Sequence, residues 1–323
     1  MISAYIGHAS QLSYAEEHRL VGGKGDGMRL FEVNNGRGLC LTASIDRGMD
    51  ISRLQYKGVN CGYFAPCGYV APAYFDDKDN GFLKSFSAGF LTTCGLSNAG
   101  VPCTIDGQSH AMHGTIGNTP AENAYYTVDK DRITLYGKMN SAQIFADKLS
   151  LERKIVISNF EDSFTVEDII RNEGDRDTPI MLMYHMNIGY PLLSENAQLQ
   201  ISSSKVLPRD EIAAEGLDTW DRILQPTPLF KEQCYFHFFE EQNAIACIEN
   251  PDVGIGLEIS FNTESLNCLT EWKMMGVRDY VLGLEPGNCY PIGRAQAREE
   301  GSLVILEPME ERSYRVKVRL YSL

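Results

Sequence analysis

The segment Tyr314-Arg315-Val316-Lys317-Val318-Arg319-Leu320 shows which kind of fold this chain adopts. Apolar and basic side chains alternate at every second position, which is the pattern of a β-strand with one buried and one solvated face. Less regular versions of this pattern recur at Arg132–Met139, Leu149–Ser158, Ser163–Ile170, Gly254–Phe261 and Leu303–Leu306. Turn sequences rich in glycine, asparagine and proline separate the runs. The sequence therefore predicts a protein built mainly of strands.

Pro179–Asn187 is almost continuously apolar, which predicts a central strand covered on both faces. Helical signals are few: Asp210–Leu217 predicts about two turns, and Pro120–Glu122 predicts one short turn. Strands and helices do not alternate regularly, and no linker or fixed-period repeat divides the chain. We therefore expect an all-β fold with few short helices, formed by one domain over residues 1–323 with large, mostly antiparallel, packed sheets.

Composition excludes several classes of partner. The chain has 323 residues with 29 basic and 43 acidic side chains, a net charge of −14. This charge argues against nucleic acid and against anionic membranes as partners. Met1–His8 lacks the basic and apolar regions of a signal peptide, and no run of roughly 18 apolar residues occurs. Nine cysteines without a C-x-x-C motif indicate free thiols. We therefore expect a cytoplasmic protein.

Two polar blocks in the first third of the chain are candidates for chemistry. Asp46-Arg47-Gly48-Met49-Asp50-Ile51 places an arginine between two carboxylates. Arg47 is either part of a structural ion pair or a guanidinium that binds substrate oxygens. The second block, His110-Ala111-Met112-His113-Gly114, brings two imidazoles close together if it forms a turn. A metal pair is the less favoured interpretation, because further ligands at the usual spacing are missing.

Two more blocks lie on predicted strands. In Tyr184-His185-Met186-Asn187, the side chains of His185 and Asn187 share one face, and such a polar pair must find partners or line a cavity. Glu285 ends an apolar strand before Pro286-Gly287, where burial would raise its pKa and make it a usable base. A His/Glu pair supplies an acid and a base without a metal or nucleotide, so we expect no cofactor.

At these blocks the chain resembles the aldose 1-epimerase, or galactose mutarotase-like, superfamily, and within it a bacterial branch of unknown function. The resemblance spans about residues 39–290. It rests on motifs in the same order as in that branch: Asp46-Arg47-Gly48-Met49-Asp50-Ile51, Thr93-Cys94-Gly95-Leu96, His113-Gly114, His185-Met186-Asn187-Ile188-Gly189-Tyr190-Pro191 and Leu284-Glu285-Pro286-Gly287-Asn288. It implies a β-supersandwich with a sugar site in an open groove.

The resemblance also implies a reaction and assigns roles to residues. Glu285 would remove the proton of the anomeric hydroxyl, His185 would protonate the ring oxygen, and His113 would assist near the ring. Ring opening, rotation about C1–C2 and closure then give the other anomer. The arginine that holds the sugar in studied mutarotases has no match in Cys94–Gly100, so Arg47 and Lys273 are candidates to replace it. The residues expected to bind substrate are Arg47, His110, Asn187, Tyr190, Trp272, Lys273 and Asn288.

Three functions follow from this sequence. The first is a cofactor-independent mutarotase or epimerase acting on an aldose or a sugar derivative. The second is a carbohydrate-binding protein without turnover. The third is a metal-dependent isomerase, lyase or hydrolase built on His110, His113, His185 and Glu285. The expected partner in each case is a small carbohydrate. The apolar stretches Tyr63–Tyr69 and Tyr74-Phe75 indicate either a groove wall or the face of a homodimer.

Overall fold

A computed structural model describes residues 4–323. The expectation that the chain has no signal peptide is drawn from Met1–His8, and Met1–Ser3 of that segment lie outside the described residues. Within the described range there are two short α-helices, α1 (Glu211–Glu215) and α2 (Arg294–Glu299), and twenty-four strands. The strands are β1 (Tyr14–Arg19), β2 (Arg29–Asn34), β3 (Leu39–Ser44), β4 (Asp50–Tyr56), β5 (Val59–Asn60), β6 (Tyr63–Phe64), β7 (Ala88–Gly89), β8 (Leu91–Leu96), β9 (Cys103–Ile105), β10 (Gln108–His110), β11 (Glu122–Val128), β12 (Arg132–Ala142), β13 (Lys148–Ser158), β14 (Ser163–Asn172), β15 (Thr178–Ile188), β16 (Gln198–Ile201), β17 (Lys205–Pro208), β18 (Gln233–Phe238), β19 (Asn243–Asn250), β20 (Ile255–Asn262), β21 (Cys268–Met275), β22 (Tyr280–Gly287), β23 (Val304–Leu306) and β24 (Glu311–Ser322).

The strands form three main sheets, all with antiparallel pairing. Eight strands make the largest sheet, in the order β11-β12-β13-β14-β24-β20-β19-β16. A seven-stranded sheet has the order β17-β18-β21-β22-β15-β23, with β8 paired to β15 as well. The N-terminal strands β1 to β5 form a five-stranded sheet in sequence order. The predicted all-β architecture with packed antiparallel sheets is therefore confirmed.

The core lies between the eight-stranded and seven-stranded sheets. One large apolar cluster contains the alternating residues of β24 that the sequence assigns to the buried face, which are Tyr314, Val316, Val318 and Leu320. That cluster also contains the even-numbered residues of β15 from Leu182 to Ile188. Because side chains alternate along a strand, the odd-numbered residues of β15 face away from this core. The same rule places Leu282 and Leu284 of β22 in the core and the odd-numbered residues of β22 on the outer face.

The strand predicted at Pro179–Asn187 is confirmed as β15, in which every residue from Ile180 to Ile188 is buried. β22 and β8 pair with it, and Phe86, which precedes β7, packs against His185 on its outer face. A strand buried on both faces positions its side chains firmly, because neither face can move without disrupting packing. The outer face of β15 is therefore a rigid platform for functional groups.

A buried ionic cluster joins the three main sheets. The guanidinium of Arg153, on β13, donates two hydrogen bonds to Asp168 on β14 and one of 2.6 Å to Asp50 on β4. Thr93 on β8 and Tyr184 on β15 complete the cluster, through Arg153 Nη2 and an Asp168 oxygen respectively. Arg153 and Asp168 have no exposed side-chain surface. We call this group the Arg153 cluster.

The helix predicted at Asp210–Leu217 forms as α1, and the Asp210 side chain caps it by accepting the N–H of Ala213. The predicted turn at Pro120–Glu122 is wrong, because β11 begins at Glu122 and extends the largest sheet there. The sequence reading did not predict α2. No helix in residues 4–323 is long and apolar enough to cross a membrane.

Candidate active site

Neighbouring strands of the seven-stranded sheet bring a histidine and a glutamate together. β15 and β22 pair with Met186 opposite Leu284, so His185 and Glu285 are cross-strand neighbours on the outer face. His185 Nε2 lies 3.2 Å from Glu285 Oε1, and both side chains are buried. Gly283 leaves room for this carboxylate, since a Cβ at that position would lie 2.4 Å from Oε1. The local sequence thus creates a buried acid–base pair.

Several polar atoms of this pair are left without hydrogen bonds. The contact at 3.2 Å does not have hydrogen-bond geometry, and His185 Nδ1 and Glu285 Oε1 are both buried without a partner. The hydroxyl of Thr270, which is opposite Glu285 on β21, is also unpartnered. Buried polar groups without partners cost roughly 1–3 kcal/mol each. A stable fold tolerates such a group of atoms where a ligand completes the hydrogen bonding.

His113 approaches His185 from a strained turn. Its backbone has φ +57°, and it precedes Gly114 at φ +68°. The Nδ1 atom accepts a hydrogen bond of 3.2 Å from the N–H of Gly100. The neutral ring therefore carries its proton on Nε2 and can donate a hydrogen bond there. The two imidazole centroids are 5.8 Å apart, so His113 belongs to the same site.

Aromatic rings cover both imidazoles. Phe82 lies 5.0 Å from His113, and Phe86 lies 5.1 Å from His185, while the two phenylalanines stack on each other. Trp272 contacts the edge of His185 at 5.3 Å. Tyr63, Ala65 and Phe75 pack behind Phe82 and Phe86, so the apolar stretches near Tyr63–Tyr69 and Tyr74-Phe75 support a wall of the groove. We call Phe82, Phe86 and Trp272 the aromatic wall.

Burial shifts the protonation equilibria of the site toward uncharged groups. Burial, together with a smaller effect of His113, lowers the pKa of His185 to about 3, and burial lowers the pKa of His113 to about 4. Burial also raises the pKa of Glu285 well above its ordinary value. Both histidines are therefore neutral at physiological pH, and the carboxyl retains its proton more readily than an exposed glutamate does. Opposite shifts in adjacent groups are typical of acid–base sites.

The pair borders a cavity of about 230 Å³. This volume is below the roughly 300–1,000 Å³ of pockets for drug-sized ligands, so it suits one small molecule. The aromatic wall and Met112 supply apolar surface, and Arg209 and Glu232 supply charges. Sequence reasoning missed Arg209 and Glu232. Arg209 directly follows the edge strand β17, its backbone N–H donates to the carbonyl of Cys234 on β18, and its side chain lines the cavity. Arg209 is therefore the arginine whose side chain lines this cavity.

Two predicted substrate-binding cations lie elsewhere. Lys273 is on the core face of β21, because it neighbours Trp272 and adjacent residues of a strand face opposite ways. Its ammonium donates to the carbonyls of Thr219 and Trp220. Arg47 is buried and donates to the carbonyls of Gly117, Val70 and Ser85. It thus fastens both ends of the segment 70–85, which carries Phe82, and serves the site only as structural support.

Three other predicted substrate-binding residues also lie outside the cavity. His110 lines a separate polar cavity with Asp147 and Gln143. Tyr190 has 71% of its surface exposed beyond the end of β15. Asn288 accepts the N–H of Leu182 and donates to the hydroxyl of Tyr314, so it joins strands rather than facing a ligand.

Asn187 and Trp272 are on the expected face of the sheet. Asn187 is fully buried beside His185, donates to the carbonyl of that residue, and its side chain raises the pKa of the imidazole against the larger effect of burial. Asn187 therefore supports His185 without lining the cavity itself. Trp272 lines the cavity directly. Among residues 4–323, no three His, Cys, Asp or Glu side chains are grouped so that they could hold a metal ion.

We expect the neutral state of His113 to make stability depend on pH. Below pH 6.5 the unfolded chain protonates this histidine, whereas the folded protein does so only near pH 4, so folding loses stability as pH falls through that interval. His113→Asn removes this loss, and asparagine tolerates the positive φ. The free-energy advantage of the wild type over the variant should therefore shrink from pH 6.5 to 4 in urea unfolding. A constant difference would contradict neutral burial of His113.

Comparison with known proteins shows to which class of protein this fold belongs. A Klebsiella pneumoniae protein provisionally assigned as an aldose 1-epimerase matches with a TM-score of 0.88 and 28% identity, covering 95% of this chain and 83% of that one. The architecture is thus that of the galactose mutarotase-like proteins. The chain belongs to the family of a domain of unknown function, DUF4432, whose model matches residues 25–320.

More distant structures share the fold. A galactose mutarotase-like protein from Clostridium acetobutylicum matches with a TM-score of 0.71 and 14% identity, over 97% of this chain and 100% of that chain. The galactose 1-epimerase of Lactobacillus acidophilus matches with a TM-score of 0.67 and 14% identity, over 96% and 99%. At these identities the likeness shows the fold alone. A comparison with curated proteins finds no significant match.

Proposed function

We propose that this protein is a cofactor-independent mutarotase, an aldose 1-epimerase that interconverts the anomers of a small reducing sugar. The observation that carries this proposal is the His185–Glu285 pair, 3.2 Å apart and without satisfied hydrogen bonds, beside a cavity of about 230 Å³. Mutarotation needs one acid and one base at two oxygens on the same carbon. Two adjacent titratable groups with oppositely shifted pKa values suit that requirement.

The His185–Glu285 pair carries the number of protons that mutarotation requires. Burial favours the uncharged form of both groups, so the empty site favours a proton on Glu285 beside a neutral His185. Transfer of this proton to His185 creates the carboxylate and imidazolium that ring opening uses. Burial and, to a smaller extent, the Glu232 carboxylate raise the pKa of Glu285 and oppose this form, whereas Arg209 lowers that pKa and favours it. The pair therefore holds the one proton that the cycle needs.

The steps then follow with protons in balance. Glu285 takes the proton of the anomeric hydroxyl, His185 gives its proton to the ring oxygen, and the C1–O bond of the ring breaks to leave the open-chain aldehyde. After rotation about C1–C2, the same transfers run in reverse and close the ring on the other face. The Nε2–H of His113 can hold a sugar oxygen during this cycle. The aromatic wall excludes water and packs against sugar C–H groups.

Exchange NMR on purified protein tests this function. We expect the signals of the α and β anomers of at least one reducing sugar to exchange faster in proportion to protein concentration, with no change after treatment with a chelator. Binding without faster exchange for any sugar would identify a carbohydrate-binding protein instead. Loss of exchange with a chelator and its return with added metal would identify a metal-dependent isomerase.

A further inference from the structure

In the charged part of the cavity, three neighbouring side chains contact the guanidinium of Arg209. Its Nε donates to Asp210 at 2.9 Å, Nη2 donates to Glu232 at 3.0 Å, and Nη1 lies 2.9 Å from the sulfur of Cys234. A guanidinium has five N–H groups, so these three contacts leave two free to donate. The charge of Arg209 is already balanced by two carboxylates before any ligand binds.

Glu232 connects this cation to the aromatic wall. One carboxylate oxygen accepts from Arg209, and the other accepts from the indole N–H of Trp272 at 2.9 Å. The side chains of Arg209 and Glu232 are 32% and 49% exposed, so both stand at the open side of the cavity rather than on its floor. A ligand that reaches Glu285 therefore passes close to the Glu232 carboxylate.

The positive charge in the cavity lining is already paired. Among the cavity-lining residues of the described chain, Arg209 is the sole cation at neutral pH, because His113 and His185 are kept neutral by burial. The Glu232 carboxylate pairs with Arg209, while burial favours the uncharged form of the Glu285 carboxyl. Such a lining does not offer an unpaired positive charge to an anion.

We propose that Glu232 is a specificity-determining residue that makes this site select neutral sugars and reject sugar acids and sugar phosphates. This inference rests on the proposed function. Sugar hydroxyls can accept the two free N–H groups of Arg209 and donate to Glu232. A carboxylate or phosphate would have to displace Glu232 from Arg209 or lie beside the Glu232 carboxylate, and like charges placed together in a binding site are strongly unfavourable.

The test compares each neutral sugar with its own uronic acid, since the pair differs at C6 alone. Exchange NMR gives kcat/KM for glucose against glucuronate and for galactose against galacturonate. We expect the wild type to favour the neutral member of at least one pair. Glu232→Gln removes the repelling carboxylate and one of the two carboxylates that balance Arg209, so the neutral-to-acid ratio should fall by about tenfold or more. The matched control is Glu240→Gln, which makes the same charge change at an exposed position and should keep the ratio.

A second measurement needs no variant. Because Glu232 is half exposed, salt screens its repulsion, so 0.5 M NaCl should raise the wild-type rate on the uronic acid relative to the neutral sugar. A wild type that prefers uronic acids, or an unchanged ratio in Glu232→Gln, overturns this inference and leaves the mutarotase function standing. Faster exchange of no sugar at all overturns the function, and this inference with it.

Discussion

Glu285→Gln lowers anomer exchange by about 10²–10⁴-fold, the usual loss when a general acid–base group is removed. Glutamine keeps the size and much of the polarity of the side chain but cannot carry the proton that the pair shares. The room that Gly283 leaves also accommodates the amide, so the fold should remain intact. The loss should fall on kcat rather than on KM, because the missing interaction acts during proton transfer.

Exchange NMR at saturating sugar measures this loss, and circular dichroism establishes that the variant is folded. Glu240→Gln, at an exposed position, serves as the control and should retain wild-type exchange. A reduction of tenfold or less would show that another residue acts as the base. Retained sugar binding in Glu285→Gln would separate a catalytic defect from loss of the cavity.

Arg153→Met should destabilise the folded protein by about 3–5 kcal/mol, the typical cost of removing one partner from a buried ion pair. The substitution leaves Asp50 and Asp168 buried without the guanidinium that bonds to both. Thr93 and Tyr184 remain bonded to carboxylates that have lost their cation. The loss should be smaller in acid, because burial already raises the pKa of Asp50 and protonation removes its charge.

Urea unfolding at pH 7 and at pH 5 measures this effect. Lys154→Met is the matched control, since Lys154 follows Arg153 on β13 but faces the outside of the sheet. Such a surface substitution normally changes stability by about 0.5 kcal/mol or less. A change below about 1 kcal/mol in Arg153→Met would mean that the Arg153 cluster does not hold the sheets together.

The strands were predictable because each depends on a local pattern. The alternation in β24 identifies its buried face, and the continuous apolar run identifies β15 as covered on both sides. The same alternation separates Trp272 from Lys273, so the assignment of both residues to one site could have been rejected from the sequence. That His185 and Glu285 are neighbours depends on the register between β15 and β22, which no local pattern contains.

Other parts of the site depend on contacts between distant segments. Arg209 follows a short edge strand, and Glu232 precedes another strand, so neither stands in a motif. Their role follows from the pairing of β17 with β18 and from the indole of Trp272. Arg47 stands in a motif, but its acceptors are backbone carbonyls 23 to 70 positions away in sequence. The sequence marks such an arginine as important without showing what it binds.

The edge-on contact between Trp272 and His185 gives the protein an internal optical probe. The chain has two tryptophans, and the other, Trp220, lies edge-on to His237 on the core side of the sheet. With Trp220 replaced by phenylalanine, all indole fluorescence comes from the cavity. Changes in emission would then report the arrival of a ligand and the protonation of His185 in real time, without a label and without turnover.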